Sequence, residues 1–181
     1  MIKQKKYNSL KLKLGKWKLK RLIKNNGRHP IVCSLNQAKT VGISFTVNNQ
    51  EDLEKIRKIL KRLAERNIQT YALGYIPVKK PNDYYLSQKS FNFFSDADLD
   101  FSLIPKNESV KEFINTKFDI LIDFGSEEYF PMDYMINMSN AAFKVGWFSS
   151  NQPFDLMLNI DKNAGVEYYF DQVIHYLEKI K

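Results

Sequence analysis

The sequence predicts an α/β fold: a three-layer sandwich around a mostly parallel sheet of the Rossmann or flavodoxin kind, preceded by a basic N-terminal helix. Apolar runs of strand length alternate with amphipathic segments of helical periodicity along the 181 residues. The first strand–helix–strand unit is complete between Val41 and Ile76, and a helical crossover of this kind predicts that its two strands are parallel. Such alternation is typical of a sheet with helices on both faces.

The basic arm comprises residues 1–26, and a helix over Ser9–Lys24 is favoured there; residues 27–181 are predicted to form a single α/β domain. Leu and Lys favour helix, and β-branched residues are nearly absent from the arm. The Asn-Asn-Gly at 25–27 indicates a C-terminal stop. Alternation of Leu and Lys over 10–14 leaves a strand as the alternative. In a helix the apolar side chains fall into two opposed stripes, Leu10, Leu14 and Trp17 on one side and Leu12, Leu19 and Ile23 on the other.

The first βαβ unit follows the arm. Residues 41–46 form a short apolar strand, and Asn48 and Asn49 are placed to cap the next helix. That helix, over 51–66, has Leu and Ile recurring at helical spacing, which is the clearest helical pattern in the chain. Residues 70–76 are predicted as the second strand.

The alternation of strands and helices is interrupted over 77–98. Two prolines and a cluster of Tyr and Phe there predict an irregular excursion packed by its own aromatic side chains. After it, the pattern predicts four further strands and three further helices. In chain order these are a strand at 99–104, a helix capped by Asn107 and ending at 114, a strand at 118–124, a helix at 131–142 with Pro131 in its first turn, strands at 144–148 and 156–160, and a helix at 166–180.

Two short motifs carry a resemblance to known families. FDILID at 118–123 and AFKVG at 142–146, joined by one helix, resemble an uncharacterised domain family of Bacteroidota proteins with a similar basic start and βαβ opening. That resemblance covers nearly the whole chain and implies the fold without a known activity. Over 118–146 the chain is also similar to nucleotide-sugar transferases of the heptosyltransferase kind. Those enzymes need two Rossmann-like domains, whereas this chain has room for one.

Charge is divided unequally along the chain. Residues 1–50 hold 12 Lys and Arg and no Asp or Glu, whereas 51–181 hold 16 Lys and Arg with 20 acids, so the net charge of +8 belongs to the N-terminal part. The single cysteine, Cys33, has no disulfide partner in the chain, which favours a reducing compartment. Because no apolar run is long enough for a signal peptide or a membrane span, the cytoplasm is the expected location.

A block of one-sign charge indicates a polyanionic partner. Lysine and arginine neutralise phosphates, and the interleaved Trp17 can stack on exposed bases. We expect a non-enzymatic protein that binds RNA or a ribosomal particle through the arm, with the body available to a protein partner. A peripheral membrane or scaffold role is the alternative, less expected because the apolar stripes are opposed and Ile2 stands where N-myristoylation needs glycine. The residues assigned to nucleic-acid binding are Lys3, Lys5, Lys6, Lys11, Lys13, Lys16, Trp17, Lys18, Lys20, Arg21, Lys24 and Arg28.

A second alternative is a small enzyme that binds a nucleotide or sugar at the C-terminal ends of the strands, where open α/β sheets bind ligands. Asp123 ends the strongest predicted strand and Glu127 follows it, so these two are the candidate catalytic residues. The seven glycines are too far apart for a dinucleotide or Walker phosphate loop. Neither a cofactor nor a metal site is expected. The predicted ligand crevice comprises Asn48, Asp123, Gly125, Ser126, Ser149 and Ser150.

Overall fold

The fold is seen in a computed structural model. Six strands, all parallel, form one sheet, and helices cover both of its faces. The predicted three-layer α/β architecture with a Rossmann-like sheet is therefore confirmed. The structure describes residues 7–24, 26–47, 49–86, 91–125, 127–150 and 153–180.

The strands are β1 (Thr40–Thr46), β2 (Gln69–Ile76), β3 (Asn92–Ser95), β4 (Ile120–Asp123), β5 (Phe143–Trp147) and β6 (Leu156–Leu158). They lie side by side in the order β3-β2-β1-β4-β5-β6. The chain thus moves outward from β1 in one direction and returns to continue from β4 in the other. Connections on either side of that reversal leave in opposite directions, which places a crevice beyond the carboxyl ends of β1 and β4.

The helices are α1 (Ser9–Lys24), α2 (Gln50–Ala64), α3 (Asp83–Leu86), α4 (Glu108–Asn115), α5 (Phe130–Met138) and α6 (Val166–Lys179). One face of the sheet is covered by α2 and α6, and the other by α4 and α5. α1 packs outside α5. Among the described residues, no helix combines the length and apolar character needed to cross a bilayer.

The predicted helix after β1 is confirmed as α2. Its first turn is closed by a capping box: Asn49 accepts from the Asp52 N–H at 2.9 Å, and the Asp52 carboxylate accepts from the Asn49 N–H at 3.3 Å. Leu53, Ile56 and Leu63 are buried against the sheet. The helical period of these apolar residues therefore made the element predictable from sequence alone.

The excursion predicted over 77–98 contains a strand, β3, that the sequence pattern did not reveal. Phe93 and Phe94 pair in parallel with Gly74 and Tyr75 of β2 and extend the sheet by one strand. Four residues carry too little alternation to identify a strand, and pairing with β2 decides the conformation instead. The prediction of an irregular segment was wrong at these residues.

The strand predicted over 99–104 was also wrong. Asp100 organises a tight turn there, because its carboxylate accepts from the backbone N–H of Ser102 at 2.7 Å and of Ile104 at 3.0 Å. Leu103 adopts a φ of 63°, in the left-handed region that strands do not use. Side-chain hydrogen bonds to nearby backbone compete with a sheet ladder, and they prevail over this short apolar run.

The helix predicted over 131–142 is present as α5 but ends at Met138. Pro131 stands in its first turn as predicted. Farther on, the Ala142 N–H donates to the Phe118 carbonyl at 2.8 Å. The end of the predicted helix therefore belongs to the backbone that leads into β5.

α1 spans the predicted residues and packs against the body along one side. Gly15 and Leu19 are its buried positions. Leu19 packs with Leu103 and Phe130. A Cβ atom at Gly15 would lie 2.3 Å from the Ser102 carbonyl oxygen and 2.6 Å from the Phe130 ring. Glycine therefore permits a close approach of the helix that a larger residue would prevent.

Candidate nucleic-acid interface and strand-end crevice

The outward side of α1 carries exposed cations. Gly15 and Leu19 face the body. The opposite apolar stripe, which includes Leu10 and Trp17, therefore faces away from it. α1 contains no acidic residue. Lys3, Lys5 and Lys6 lie outside the described residues. The exposed cations of the helix are Lys13, Lys16, Lys20, Arg21 and Lys24.

An aromatic and a cation are paired on this outward side. Trp17 is 54% exposed, and the Arg21 guanidinium lies over its ring, 4.9 Å from the centroid. Indole and guanidinium planes are both surfaces on which nucleic-acid bases stack. The pair is thus the one feature of the helix suited to contact a base in addition to a phosphate.

Two predicted contact lysines are engaged by the body. Lys18 Nζ donates to Ser102 Oγ at 2.5 Å and lies 3.8 Å from the Asp100 carboxylate. Lys11 Nζ lies over the Phe101 ring, 4.9 Å from its centroid. These contacts help to hold α1 on the turn at 99–105, so the two lysines have a positioning role alongside their charge.

Arg28, also assigned to the nucleic-acid contact, is bound within the body. Its guanidinium pairs with both carboxylate oxygens of Asp155 and donates to the carbonyls of Ala141 at 2.7 Å and Ala142 at 3.0 Å. Because the planar guanidinium is hydrogen-bonded on several sides, Arg28 connects the segment after α1 to the start of β5 and to the residues before β6. Its donors are therefore directed into the body.

A groove between α1 and α5 brings opposite charges together. Lys16, Lys20 and Lys24 line one wall, and Glu128 and Asp133 line the other. The acids lower the potential along this flank of the helix, whereas Lys13 lies outside the groove. At 3.6 residues per turn, Lys20 and Lys24 project within about 20° of Lys13, so they stand at the border between the groove and the outward side. The attraction for an anion is therefore stronger on the outward side, from Lys13 to this border, than inside the groove.

The strand-end crevice is built around Asp123. This residue ends β4 and is only 5% exposed. Ser44 of the neighbouring β1 donates to its carboxylate at 2.6 Å, because the two residues are register partners in the sheet. Burial raises the pKa of the Asp123 carboxyl to about 7; the hydrogen bonds from Ser44 and the Gly125 N–H oppose the shift.

Further acids converge on the same crevice. Glu127, Glu128 and Asp133 line it with Asp123, and Lys162 is the cation in the lining. The Tyr129 hydroxyl donates to Glu127 at 2.7 Å. The structure thus brings the two candidate catalytic residues, Asp123 and Glu127, to one place.

The other predicted crevice residues are divided. Gly125 and Ser149 line the crevice with Asp123, whereas Ser150 is exposed. Asn48 and Ser126 lie outside the described residues. An acid-lined crevice repels phosphate, so its electrostatics disfavour the nucleotide of the enzyme hypothesis. Within the described ranges, no group of three or more His, Cys, Asp or Glu side chains is arranged to hold a metal ion.

A buried cation on β5 was not predicted from the sequence. Lys144 is 1% exposed, and its Nζ donates to the carbonyls of Ile136 at 2.6 Å and Asn137 at 3.4 Å, in the last turn of α5. Burial lowers the pKa of Lys144 to about 7; the charge of Arg28 adds to this effect and that of Asp155 opposes it. The sign of this buried cation in the sequence was a lysine within the apolar run of β5.

Both sites lie within a stretch that matches a protein-family model, residues 11–180. This chain belongs to DUF6913, a family of unknown function. The predicted membership of an uncharacterised domain family is thereby confirmed. No curated protein and no solved structure matches the chain. The DUF6913 match includes most of α1, so the helix and its docking against α5 belong to the family region.

Proposed function

We propose that this DUF6913 protein is a non-enzymatic RNA-associated protein that contacts RNA with the outward side of α1. The observation that supports this most directly is the docking of the helix: one side is fixed to the body while five exposed cations remain on the rest of its surface. A helix held in this way is already ordered, so binding needs no folding step. The body then serves as the platform that orients the cations.

The geometry of the helix suits several phosphates of one strand. Lys13 and Lys24 are eleven positions apart, which corresponds to about 16 Å along a helix. Lys20 and Arg21 lie between them. Because lysine predominates, we infer contacts to the backbone with little sequence selectivity. Trp17 adds stacking on an unpaired base, which favours single-stranded or looped RNA.

A ribosomal particle is the RNA partner that we propose, with the cytoplasm as the location and Bacteroidota as the group in which the family occurs. An anionic membrane surface offers the same negative charge. The outward apolar stripe is narrow, comprising Leu10, Leu14 and Trp17, whereas interfacial helices bury a broad apolar side. Flotation with anionic vesicles is therefore measured alongside RNA binding.

The test uses the full-length protein and two matched triple variants. Lys13→Gln, Lys20→Gln and Lys24→Gln remove three charges from α1, whereas Lys61→Gln, Lys106→Gln and Lys117→Gln remove three from exposed positions of the body. Each protein is sedimented through a sucrose gradient with cell lysate at low and high salt. Binding to a labelled single-stranded RNA is measured in parallel by fluorescence anisotropy.

Migration with ribosomal particles at low salt, lost at high salt and in the α1 variant but kept in the body variant, is the expected result. Equal loss in both variants would show that total charge decides the binding, and the α1 interface would be wrong. Flotation with anionic vesicles in the absence of RNA binding would replace RNA by a membrane as the partner.

A further inference from the structure

Three buried polar atoms at the C-terminal end of the sheet have no hydrogen-bond partner among the described residues. They are Thr46 Oγ1, Trp147 Nε1 and the Tyr169 hydroxyl. Trp147 is 4% exposed and Tyr169 is fully buried, and their rings stack at 3.8 Å. Buried polar groups in native proteins are nearly always satisfied by protein or by solvent, so each of these atoms is a position that a water molecule or a polar ligand group can satisfy.

Of the three atoms, the one on Trp147 adjoins the acid-lined crevice described above, whereas Thr46 lines a different pocket with Asp52 and Val166. Trp147 lines the crevice together with Asp123, and the pKa of the neighbouring Tyr169 is raised by burial and, secondarily, by the charge of Asp123. The cavity has a volume of about 30 Å³, enough for a water molecule or one hydroxyl-bearing group. At its mouth stands Phe148, whose side chain is 60% exposed. Acceptors and an aromatic surface therefore meet at one opening, and Trp147, whose N–H is buried, belongs to its lining.

The chemistry of the lining discriminates between classes of ligand. An anion is disfavoured, because the four acids of the lining, Asp123, Glu127, Glu128 and Asp133, outnumber its cation, Lys162. An organic ammonium donates hydrogen bonds to these carboxylates but cannot accept one from the Trp147 N–H. A hydroxyl group both donates and accepts, so it satisfies the carboxylates and the indole together.

We propose that the crevice binds a neutral polyhydroxylated ligand of the sugar or polyol class. One hydroxymethyl group enters between Asp123 and Trp147, and the apolar face of the ligand rests on Phe148. Ser44 already donates to the Asp123 carboxylate at 2.6 Å, which fixes that side chain for the incoming hydroxyl. The crevice shares Glu128 and Asp133 with the groove beside α1, but the hydroxyl contacts proposed here do not depend on RNA binding.

The experiment follows the Trp147 indole N–H directly. The chain has two tryptophans, so Trp17→Phe leaves Trp147 as the sole indole resonance in a nitrogen-15 correlation spectrum. The ¹⁵N-labelled variant is titrated with glucose, N-acetylglucosamine and glycerol, and with spermidine and AMP as the cationic and anionic comparisons. We expect a saturable shift of the indole cross-peak with at least one of the three hydroxyl compounds and with neither charged one.

Two variants and a control locate the effect. Asp123→Asn removes carboxylate acceptors, and Phe148→Ala removes the exposed surface without disturbing the core; each is expected to weaken binding at least tenfold. Asp171→Asn, an exposed acid that pairs with Arg62 on α2, is expected to bind as the parent does. Binding of spermidine or AMP alone, no shift with any compound (a buried water only), or sugar binding that survives both variants would overturn the proposal.

Discussion

Gly15→Ala is the sharpest test of how α1 is held. In an isolated helix the change would favour folding by about 0.8–1.0 kcal/mol, because alanine has the higher helix propensity. Here the new Cβ would lie 2.3 Å from a backbone carbonyl oxygen at Ser102, well inside contact distance, and 2.6 Å from the Phe130 ring. A backbone atom cannot rotate away, so the helix has to shift outward.

The expected change in the free energy of unfolding is the sum of two opposed effects. Overpacking a tight contact typically costs about 1–3 kcal/mol, and the gain in propensity offsets up to about 1 kcal/mol. We therefore expect Gly15→Ala to lower the free energy of unfolding by up to about 2 kcal/mol and to loosen α1. Gly27→Ala is the matched control, since a Cβ atom at that position would meet no other atom within 4 Å.

The assay combines urea denaturation with limited trypsin digestion. Released α1 offers many lysines to trypsin, so cleavage within the helix should accelerate in Gly15→Ala and stay at the parental rate in Gly27→Ala. A Gly15→Ala protein that is more stable than the parent and is cleaved no faster would refute the close approach of α1 to the 99–105 turn.

Three further predictions concern charge. Lys13→Gln, Lys20→Gln and Lys24→Gln together should reduce the slope of log affinity for single-stranded RNA against log salt by about 2, since each phosphate contact contributes about 0.7; an unchanged slope places the contacts elsewhere. The pKa of Asp123 is raised in the folded state from 3.8 to about 7. The folded protein therefore holds this proton more tightly, and the stability it adds is complete below about pH 4 and is lost as the pH rises through 7; calorimetry from pH 4 to 8 should show this loss in the parent and not in Asp123→Asn. The pKa of Lys144 is lowered from 10.5 to about 7, so unfolding takes up a proton between these values and stability rises with pH across them. Lys144→Met should flatten that rise and lower stability at pH 9 by about 1–3 kcal/mol, because two carbonyls of α5 lose their donor; an unchanged urea midpoint would contradict that cost.

Elements with a strong internal period were predictable from sequence. The apolar repeat of α2 and the capping Asn49 fixed its type and its start, and α1 was identified from its composition. β3 was not predictable, because four residues such as Asn92–Ser95 become a strand only by pairing with β2. The turn at Asp100 was missed for the opposite reason: a local carboxylate contact outweighed an apolar run.

Some site residues were likewise predictable from the sequence and others were not. Asp123 was located from its place at the end of a strand, and the sheet order explains why that place is a crevice. The buried groups of Trp147 and Tyr169 gave no signal in the sequence, since an aromatic residue in an apolar run is usually core. Arg28 belonged to the basic block by composition, yet its contact with Asp155 depends on residues far along the chain.

The position of the α1 docking partner in the chain has a consequence for synthesis. Gly15 is made 115 residues before Phe130. At about 5–20 residues per second, the helix therefore waits roughly 6–23 s before its docking surface exists. During that interval both apolar stripes and every lysine of the segment are exposed next to the translating ribosome, itself a polyanion. Folding of the body then withdraws Leu19, Lys18 and Lys11, so the newly made chain passes from a general cationic segment to one with a single defined cationic side.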